Sequence, residues 1–273
     1  MAIITLTSDF GLLDPYVGIM KGVILGIAPG AQLVDLSHDI PPQDIDEASY
    51  ALKSASPFFP HGTVHLAVVD PGVGSDRRAV LVTTERASFV GPDNGIFSFA
   101  LDEPGSQAWA LDRPAYWLPE ISRTFHGRDI FAPVAAHCAC GVNPTQLGTR
   151  IDDPIRRPAL MAGRLGNGEL SGHVIHVDRF GNLISNIPAA WLGDARWTCH
   201  VGGEQVVGPG QAYASAAPGE LLFLISSNGT AEIAVREGNA SQRLGVSAGA
   251  QLRLRICQRS NPWRNSSSRA DIP

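Results

Sequence analysis

The feature that most constrains the fold is an apolar run at residues 63–69 that stops abruptly at Asp70. The run is rich in β-branched residues and predicts a buried strand whose end reaches the edge of a sheet. The Pro-Gly-Val-Gly segment at 71–74 predicts a tight loop, because glycine lets the backbone approach a ligand closely. This loop can bring Arg77 back to Asp70, where a guanidinium would keep the carboxylate ionised and the pair could hold a water molecule. A surface ion pair in a turn between strands is the alternative.

Strands and helices alternate through the first 150 residues. Pro15 can occupy the first turn of a helix that ends at Pro29-Gly30, and further helices are predicted at 44–55 and 129–140. Short apolar runs predict the other strands at residues 3–7, 33–36, 79–84 and 88–90. This order predicts an N-terminal α/β sandwich domain with a mostly parallel sheet over residues 1–150.

The character of the sequence changes at a polar, proline-broken segment, which we interpret as a linker over residues 151–165. Beyond it the helical periods vanish and short strands alternate with Gly, Asn and Pro turns. We therefore expect a C-terminal mostly-β domain over residues 166–257. The serine-rich tail at 258–273 is predicted to be disordered.

Charge and hydropathy exclude several classes of function. The net charge of −5 and the absence of a basic stripe argue against a nucleic-acid-binding protein. No apolar run is long enough to span a bilayer, and the N-terminus does not resemble a signal peptide, so no membrane association is expected. The four cysteines form no CxxC pair and no zinc spacing, which favours reduced thiols and a cytoplasmic location.

A first candidate site follows the first predicted strand, at Ser8-Asp9-Phe10-Gly11. In open α/β sheets, ligands collect beyond the carboxyl ends of strands, so Asp9 is well placed for a ribose diol or an amine. Asp14 lies in the same turn, where capping of the next helix is an alternative that explains Asp14 better than Asp9. No GxGxxG motif or P-loop is present, so a pyrophosphate cofactor is not expected.

A second candidate is His126, which precedes Gly127 and a predicted helix. A lone histidine is usually structural, and a catalytic role is the alternative. Asp129 is expected to serve the helix terminus. His137 lies at a helical distance but no HExxH pattern is present, so no metal site is predicted.

Two turns in the C-terminal half are candidates for ligand binding. In the Asp178–Asn182 segment, Phe180 could stack on an adenine and Asn182 could bind its edge; a plain β-hairpin turn is the alternative. The Ser226-Ser227-Asn228-Gly229 turn is either another hairpin or a loop that binds a carboxylate.

Taken together, eight ordered motifs resemble one family, the S-adenosylmethionine (SAM) hydrolases or SAM hydroxide adenosyltransferases, which are relatives of fluorinating and chlorinating enzymes. The motifs are Thr7-Ser8-Asp9-Phe10-Gly11, His38-Asp39-Ile40, Phe58-Phe59-Pro60, Val69-Asp70-Pro71-Gly72-Val73-Gly74, Gly91-Pro92-Asp93-Asn94-Gly95, Phe125-His126-Gly127-Arg128-Asp129-Ile130-Phe131, Asp178-Arg179-Phe180-Gly181-Asn182 and Ser227-Asn228-Gly229. The resemblance covers nearly all of the chain before the tail. It implies an N-terminal α/β domain, a C-terminal β domain and a homotrimer with active sites between subunits.

The resemblance also implies a role for individual residues. The water-handling triad of the family falls on Asp70, Arg77 and His126, and its ribose-binding acid falls on Asp9. Methionine contacts are implied for Asp14, Asp178, Ser227 and Asn228, the last standing where halogenating relatives carry arginine. Adenine contacts are implied for Phe180, Tyr213, Asn182 and backbone groups near Val235, while Gln43 stands where fluorinating enzymes carry tryptophan.

The implied reaction is hydrolysis of SAM to adenosine and L-methionine, with water attacking ribose C5′ and with no metal or other cofactor. Halogenating relatives carry an aromatic hydroxyl in place of Asp70 and a tyrosine in place of His126. A buried carboxylate repels a halide ion, whereas it accepts a hydrogen bond from water. A halide-using enzyme and a nucleoside-binding protein with little turnover are the alternatives.

Overall fold

Residues 2–257, the part of the chain that this computed structural model describes, form two units that divide after Pro158. The strands of the first unit are β1 (Ile3–Ser8), β2 (Gln32–Ser37), β3 (Thr63–Val68), β4 (Ala79–Thr83), β5 (Ala87–Pro92), β6 (Gln107–Ala110) and β7 (Thr149–Ile151). Its helices are α1 (Tyr16–Ile27), α2 (Ile45–Ala55), α3 (Ser98–Leu101), α4 (Ala132–Ala139) and α5 (Pro144–Leu147).

The seven strands form one sheet in the order β2-β1-β3-β5-β4-β6-β7. Pairing is parallel from β2 to β5 and antiparallel from β5 to β7. The predicted α/β class of the first domain is confirmed. Asp9 and Asp70 follow two strands of the parallel half, whose carboxyl ends lie at one edge of the sheet.

Strand β3 lies inside the sheet between β1 and β5, and every one of its residues is buried. Leu66 packs into an apolar cluster with Met20 and Ile24 of α1, while Ala67 packs into a cluster with Leu52 of α2. Helices therefore cover both faces of the sheet, as a continuous apolar run in a parallel strand requires. The polar residues that follow such a strand are the first that can reach solvent.

The register of the parallel pair β1–β3 brings two candidate acids to the same edge. Ser8, the last residue of β1, pairs with Val68, the last residue of β3. Asp9 directly follows Ser8, and Asp70 follows Val68 after one further buried residue. The sequence separates these carboxylates by 61 positions, and the sheet returns them to neighbouring strand ends.

The second unit is built of antiparallel strands. These are β8 (Gly163–Leu165), β9 (Glu169–Val177), β10 (Leu183–Pro188), β11 (Trp197–Val201), β12 (Glu204–Gly208), β13 (Leu221–Ile225), β14 (Thr230–Val235) and β15 (Gln251–Ile256), and its helix is α6 (Ala240–Leu244). The order is β12-β11-β15-β9-β10-β14-β13, with β8 paired to β9. Alternate residues such as Leu170 and Val174 point into one apolar core, which confirms the predicted mostly-β fold.

The predicted helix at 129–140 differs from the structure at its start. A π-helical turn over Gly127–Phe131 precedes α4. Pro133 has no N–H and cannot donate to the carbonyl of Asp129, which instead accepts the N–H of Leu118 at 2.9 Å. Turns of this kind are frequent at functional sites, and this one begins directly after His126.

Among the helices of residues 2–257, none combines the length and the apolar character needed to cross a membrane. The tail predicted to be disordered, 258–273, lies outside the described residues.

Candidate active site

The first unit brings Asp70, Arg77 and His126 into direct contact. Arg77 Nε donates to Asp70 Oδ1 at 2.9 Å, and Arg77 Nη2 donates to Asp70 Oδ2 in a second, shorter bond. Nη2 also lies 2.9 Å from His126 Nδ1. The side chains of Asp70 and Arg77 are only 5% and 10% exposed, so this fork of two bonds is buried. The alternative of a surface ion pair is therefore wrong.

The loop after β3 makes this contact because it doubles back on itself. Val73 N–H donates to the Asp70 carbonyl at 3.2 Å, and Ser75 Oγ donates to the Gly72 carbonyl at 2.7 Å. Gly74 has a φ of +76°, and a Cβ at this position would lie 2.3 Å from the carbonyl oxygen of Arg123. Only glycine meets both conditions, so the loop is pressed against the segment that leads to His126.

The guanidinium of Arg77 determines the protonation of His126. Arginine has no acceptor, so Nδ1 of His126 must accept the bond, and the proton of the neutral ring is on Nε2. Burial and the charge of Arg77 lower the pKa of His126 below 6.5, although Asp70, Asp129 and a hydrogen bond with the Ser122 backbone oppose the shift. His126 is therefore neutral at pH 7.

Asp129 holds the segment before His126 rather than the helix terminus, where it was expected. It is fully buried; its Oδ2 accepts the Ser122 N–H at 2.8 Å and its Oδ1 accepts Arg128 Nε at 2.5 Å. Burial opposes ionisation, yet these bonds hold the pKa of Asp129 below its usual range. The helical start has no side-chain cap, since Asp129 faces back toward Ser122.

Asp9 lies at the same sheet edge and is oriented by a backbone donor. The N–H of Gln43 donates to Asp9 Oδ2 at 2.8 Å, and Gln43 adopts a φ of +67° that a side chain rarely tolerates. Asp14 is exposed, and α1 begins at a Pro15 cap without a side-chain hydrogen bond. Capping by Asp14 is therefore wrong, and the structure leaves its carboxylate facing solvent.

In the second unit, Asp178 organises the turn between β9 and β10. Its Oδ1 accepts the N–H groups of Phe180 and Asn182 at 2.9 and 2.8 Å, and its Oδ2 accepts Asn182 Nδ2 at 2.9 Å. Asn182 is thereby held with one amide hydrogen and its carbonyl oxygen still available to a ligand. Phe180 is 74% exposed, which a plain hairpin turn does not explain.

Sequence reasoning missed Glu232 on β14. This residue is 4% exposed, and its Oε1 accepts the hydroxyl of Tyr213 at 2.5 Å. Burial and the charge of Asp178 raise the pKa of Glu232, although the Tyr213 bond opposes the shift. Burial and Glu232 likewise raise the pKa of Tyr213. A carboxylate within the apolar sequence of β14 was the signal that could have identified Glu232.

The remaining candidates of the second unit are two exposed residues, Ser227 and Asn228, and one core residue, Val235. Ser227 and Asn228 are exposed in the turn between β13 and β14, where Ser226 and Thr230 share a hydroxyl contact of 3.1 Å. The side chain of Val235 packs into the core, and its carbonyl accepts the N–H of Gly238 at 3.1 Å.

Among residues 2–257, no group of three or more His, Cys, Asp or Glu side chains is placed to hold a metal ion. A buried acid, a fixed cation and a neutral imidazole at the carboxyl edge of an α/β sheet are typical of the active site of an enzyme.

The comparisons identify its family. Family models described as the SAM hydroxide adenosyltransferase N-terminal and C-terminal domains match residues 4–148 and 172–253. The chain is 42% identical over 256 residues to the (R)-S-adenosyl-L-methionine hydrolase of Thermus thermophilus, covering 90% of this chain and 97% of that one. It therefore belongs to the SAM hydroxide adenosyltransferase family, which confirms the resemblance and the prediction of an enzyme.

Two further comparisons give a halogenating relative and a solved structure. A fluorinase of Actinoplanes sp. is 28% identical over 212 residues, covering 68% of this chain and 71% of its own. The crystal structure of an uncharacterized conserved protein from Thermotoga maritima superposes with a TM-score of 0.86 at 35% identity, covering 93% of this chain and 100% of that one. The fluorinase is thus a more distant relative than the SAM hydrolase.

Proposed function

We propose that the protein hydrolyses S-adenosyl-L-methionine to adenosine and L-methionine by attack of water at ribose C5′. The observation that carries the proposal is the buried contact of Arg77 with both Asp70 and His126. A sulfonium is a good leaving group, so the enzyme needs to align and deprotonate one water molecule. No cofactor is required, since SAM itself supplies the leaving group.

Asp70 is the residue that takes the proton. His126 Nδ1 is already engaged by Arg77, and the Nε2 proton is donated to the Ser122 backbone, so neither ring nitrogen of the neutral histidine is free to accept a proton from water. Each oxygen of Asp70 accepts one bond from Arg77 and keeps a second lone pair. As the C–O bond forms, the water becomes a protonated alcohol, which is a far stronger acid than a carboxylic acid. Arg77 holds the carboxylate of Asp70 in position to receive this proton.

Ligand-binding roles are proposed for the other acids and aromatics. Asp9 binds the ribose diol, Phe180 and Tyr213 stack on adenine, and Asn182 hydrogen-bonds to the base edge together with backbone groups near Val235. Asp14, Asp178, Ser227 and Asn228 are proposed to contact the methionine part. The acidic pair Asp178 and Glu232 supports this, since negative charge beside Tyr213 favours a cationic ligand.

The relatives' name specifies one of two sulfonium configurations, (R). We extend it to this chain: the (R) epimer is the preferred substrate, and both epimers yield the same products. Purified protein is incubated with an epimer mixture in isotopically labelled water, with and without chloride. We expect faster loss of the (R) epimer, with label in the 5′ hydroxyl of adenosine.

Three outcomes would contradict this proposal. Labelled homoserine with methylthioadenosine would show attack at Cγ of the methionine part rather than at C5′, and 5′-chloroadenosine would identify a halide-using enzyme instead. Adenosine binding without consumption of either epimer would favour the alternative of a nucleoside-binding protein.

The protein is further proposed to be a cytoplasmic homotrimer with active sites between subunits, and with neither nucleic-acid nor membrane partners. Support comes from an exposed apolar surface on and before α1, formed by Leu12, Leu13, Ile19 and Leu25. Leu13 is 99% exposed, and Gly18, Gly22 and Gly26 leave the same helix open to close approach. A contiguous apolar surface is typical of an interface between proteins.

Ile19→Glu is expected to lower the molecular mass measured by light scattering, because it places a charge in this surface. Lys53→Glu, on the exposed side of α2, is the control and should leave the mass unchanged. Mixing Asp70→Ala with Asn182→Ala protein under subunit exchange should also restore part of the activity. A fully active monomer would refute the shared site.

A further inference from the structure

A second hydrogen-bonded chain lies beneath the candidate site. Lys21 Nζ donates to Asp35 Oδ2 at 2.6 Å, and Asp35 Oδ1 lies 3.0 Å from His38 Nε2. His38 Nδ1 in turn lies 2.7 Å from Ser8 Oγ. Ser8 and His38 are both buried, and Ser8 is the residue immediately before Asp9.

The charge of Asp35 shows which way its hydrogen bond with His38 runs. Asp35 is ionised because Lys21 and His38 hold its pKa below the usual range against the effect of burial. It therefore accepts from His38 Nε2–H, while His38 Nδ1 and the Ser8 hydroxyl share the bond of 2.7 Å. Ser8 Oγ then accepts the N–H of Phe10 at 3.4 Å.

The arrangement is that of a serine–histidine–carboxylate chain, but Ser8 is not a nucleophile. Its side chain is completely buried at the end of β1, so no substrate atom can reach the hydroxyl. The chain instead fixes backbone on both sides of Asp9.

Two other bonds complete this fixation. The N–H of Gly11 donates to the His38 carbonyl at 2.8 Å, and the Gln43 N–H donates to Asp9 Oδ2 at 2.8 Å. The loop after β1 and the loop after β2 are thus joined through His38 and through Asp9. The strained φ of Gln43 shows that this junction is held against a backbone cost.

We propose that Ser8 and His38 are positioning residues that aim the Asp9 carboxylate at the ribose diol. The inference rests on the proposed function, in which Asp9 binds that diol. A carboxylate that receives two hydroxyl groups must be fixed in angle as well as in place, and the buried chain supplies that constraint.

The same strand offers a matched control. Thr5 Oγ1 and His65 Nδ1 form an equally buried hydroxyl–imidazole bond of 2.7 Å, three residues before Ser8 on β1. Ser8→Ala and Thr5→Val each remove one such hydroxyl. Both variants lose a buried hydrogen bond, but only the first loses a bond beside Asp9.

The test measures the affinities of adenosine and of 2′,3′-dideoxyadenosine by calorimetry. We expect the wild type to prefer adenosine by about tenfold or more, as hydrogen bonds to a charged group provide. Ser8→Ala should reduce this preference severalfold, and Thr5→Val should retain it. In an Asp9→Asn background, Ser8→Ala should have little further effect on the preference.

Two substitutions of His38 test its bond to Ser8 and its bond to Asp35 separately. Asparagine places its amide near the position of Nδ1 and can still hydrogen-bond to Ser8, whereas glutamine reaches toward Asp35 only. His38→Asn should retain more of the preference for the diol than His38→Gln. An equal preference in Ser8→Ala and wild type would overturn the positioning role, while a wild type that does not bind adenosine would overturn the proposed function with it.

Discussion

Asp70→Asn is expected to slow SAM hydrolysis by about a hundredfold or more, the usual contribution of one acid–base group. The amide keeps the size of the side chain but cannot take a proton from the attacking water. It also turns an N–H₂ group toward the donors of Arg77, where the carboxylate accepts two bonds. Adenosine affinity should change little, because the proposed ribose and adenine contacts come from other residues.

Product formation and adenosine affinity are measured on the same preparations, with Asp76→Asn as the control. Asp76 is an exposed carboxylate on the same loop, one residue before Arg77. Its substitution changes the net charge equally and should leave turnover unchanged. Wild-type turnover in Asp70→Asn would show that the cluster is structural and that the proposed proton transfer is wrong.

Arg77→Ala is expected to impair both stability and turnover. Removal of one partner from a buried pair leaves an uncompensated charge on Asp70, which typically costs about 3–5 kcal/mol of unfolding free energy. His126 Nδ1 loses its donor at the same time, and the stacking of the guanidinium over Phe131 at 5.1 Å is lost. Turnover should fall because Asp70 loses the two donors that hold it in position.

The adjacent residue provides the comparison. Arg78 pairs with Asp93 and Asp153 at 2.8 Å each, outside the cluster, so Arg78→Ala should lower stability without removing turnover per folded molecule. The double variant Asp70→Ala/Arg77→Ala removes both buried charges. Denaturant unfolding should show it more stable than Arg77→Ala, yet equally inactive; a double variant no more stable than the single one would contradict the buried-charge argument.

Local sequence signals predicted much of the fold. The apolar run of β3 predicted a buried central strand, and glycine and proline after it predicted the turn that returns Arg77 to Asp70. Both signals act over a few residues, where apolar character and backbone freedom decide the outcome. The contact of His126 with Arg77 spans 49 positions, and only the resemblance to the family brought these residues together before the structure did.

Other parts of the candidate site depend on packing that no local pattern reveals. Glu232 occupies a strand position where a charge predicts a solvent-facing side chain, but it is buried against Tyr213. Asp129 resembles a helix-start acid, yet it lies in a π-helical turn and accepts the Ser122 N–H. In both cases a partner outside the helix or strand decides the role of the side chain.

The contacts of Arg77 with both Asp70 and His126 have an evolutionary consequence. A change to halide chemistry along the lines of the relatives would replace Asp70 and His126, but either replacement alone removes a partner of the buried guanidinium. The single-substitution intermediates would have lost hydrolysis without gaining a halide site. Evolution from water to a halide ion as the nucleophile would therefore require an earlier change, near Arg77, that made these partners of its guanidinium dispensable.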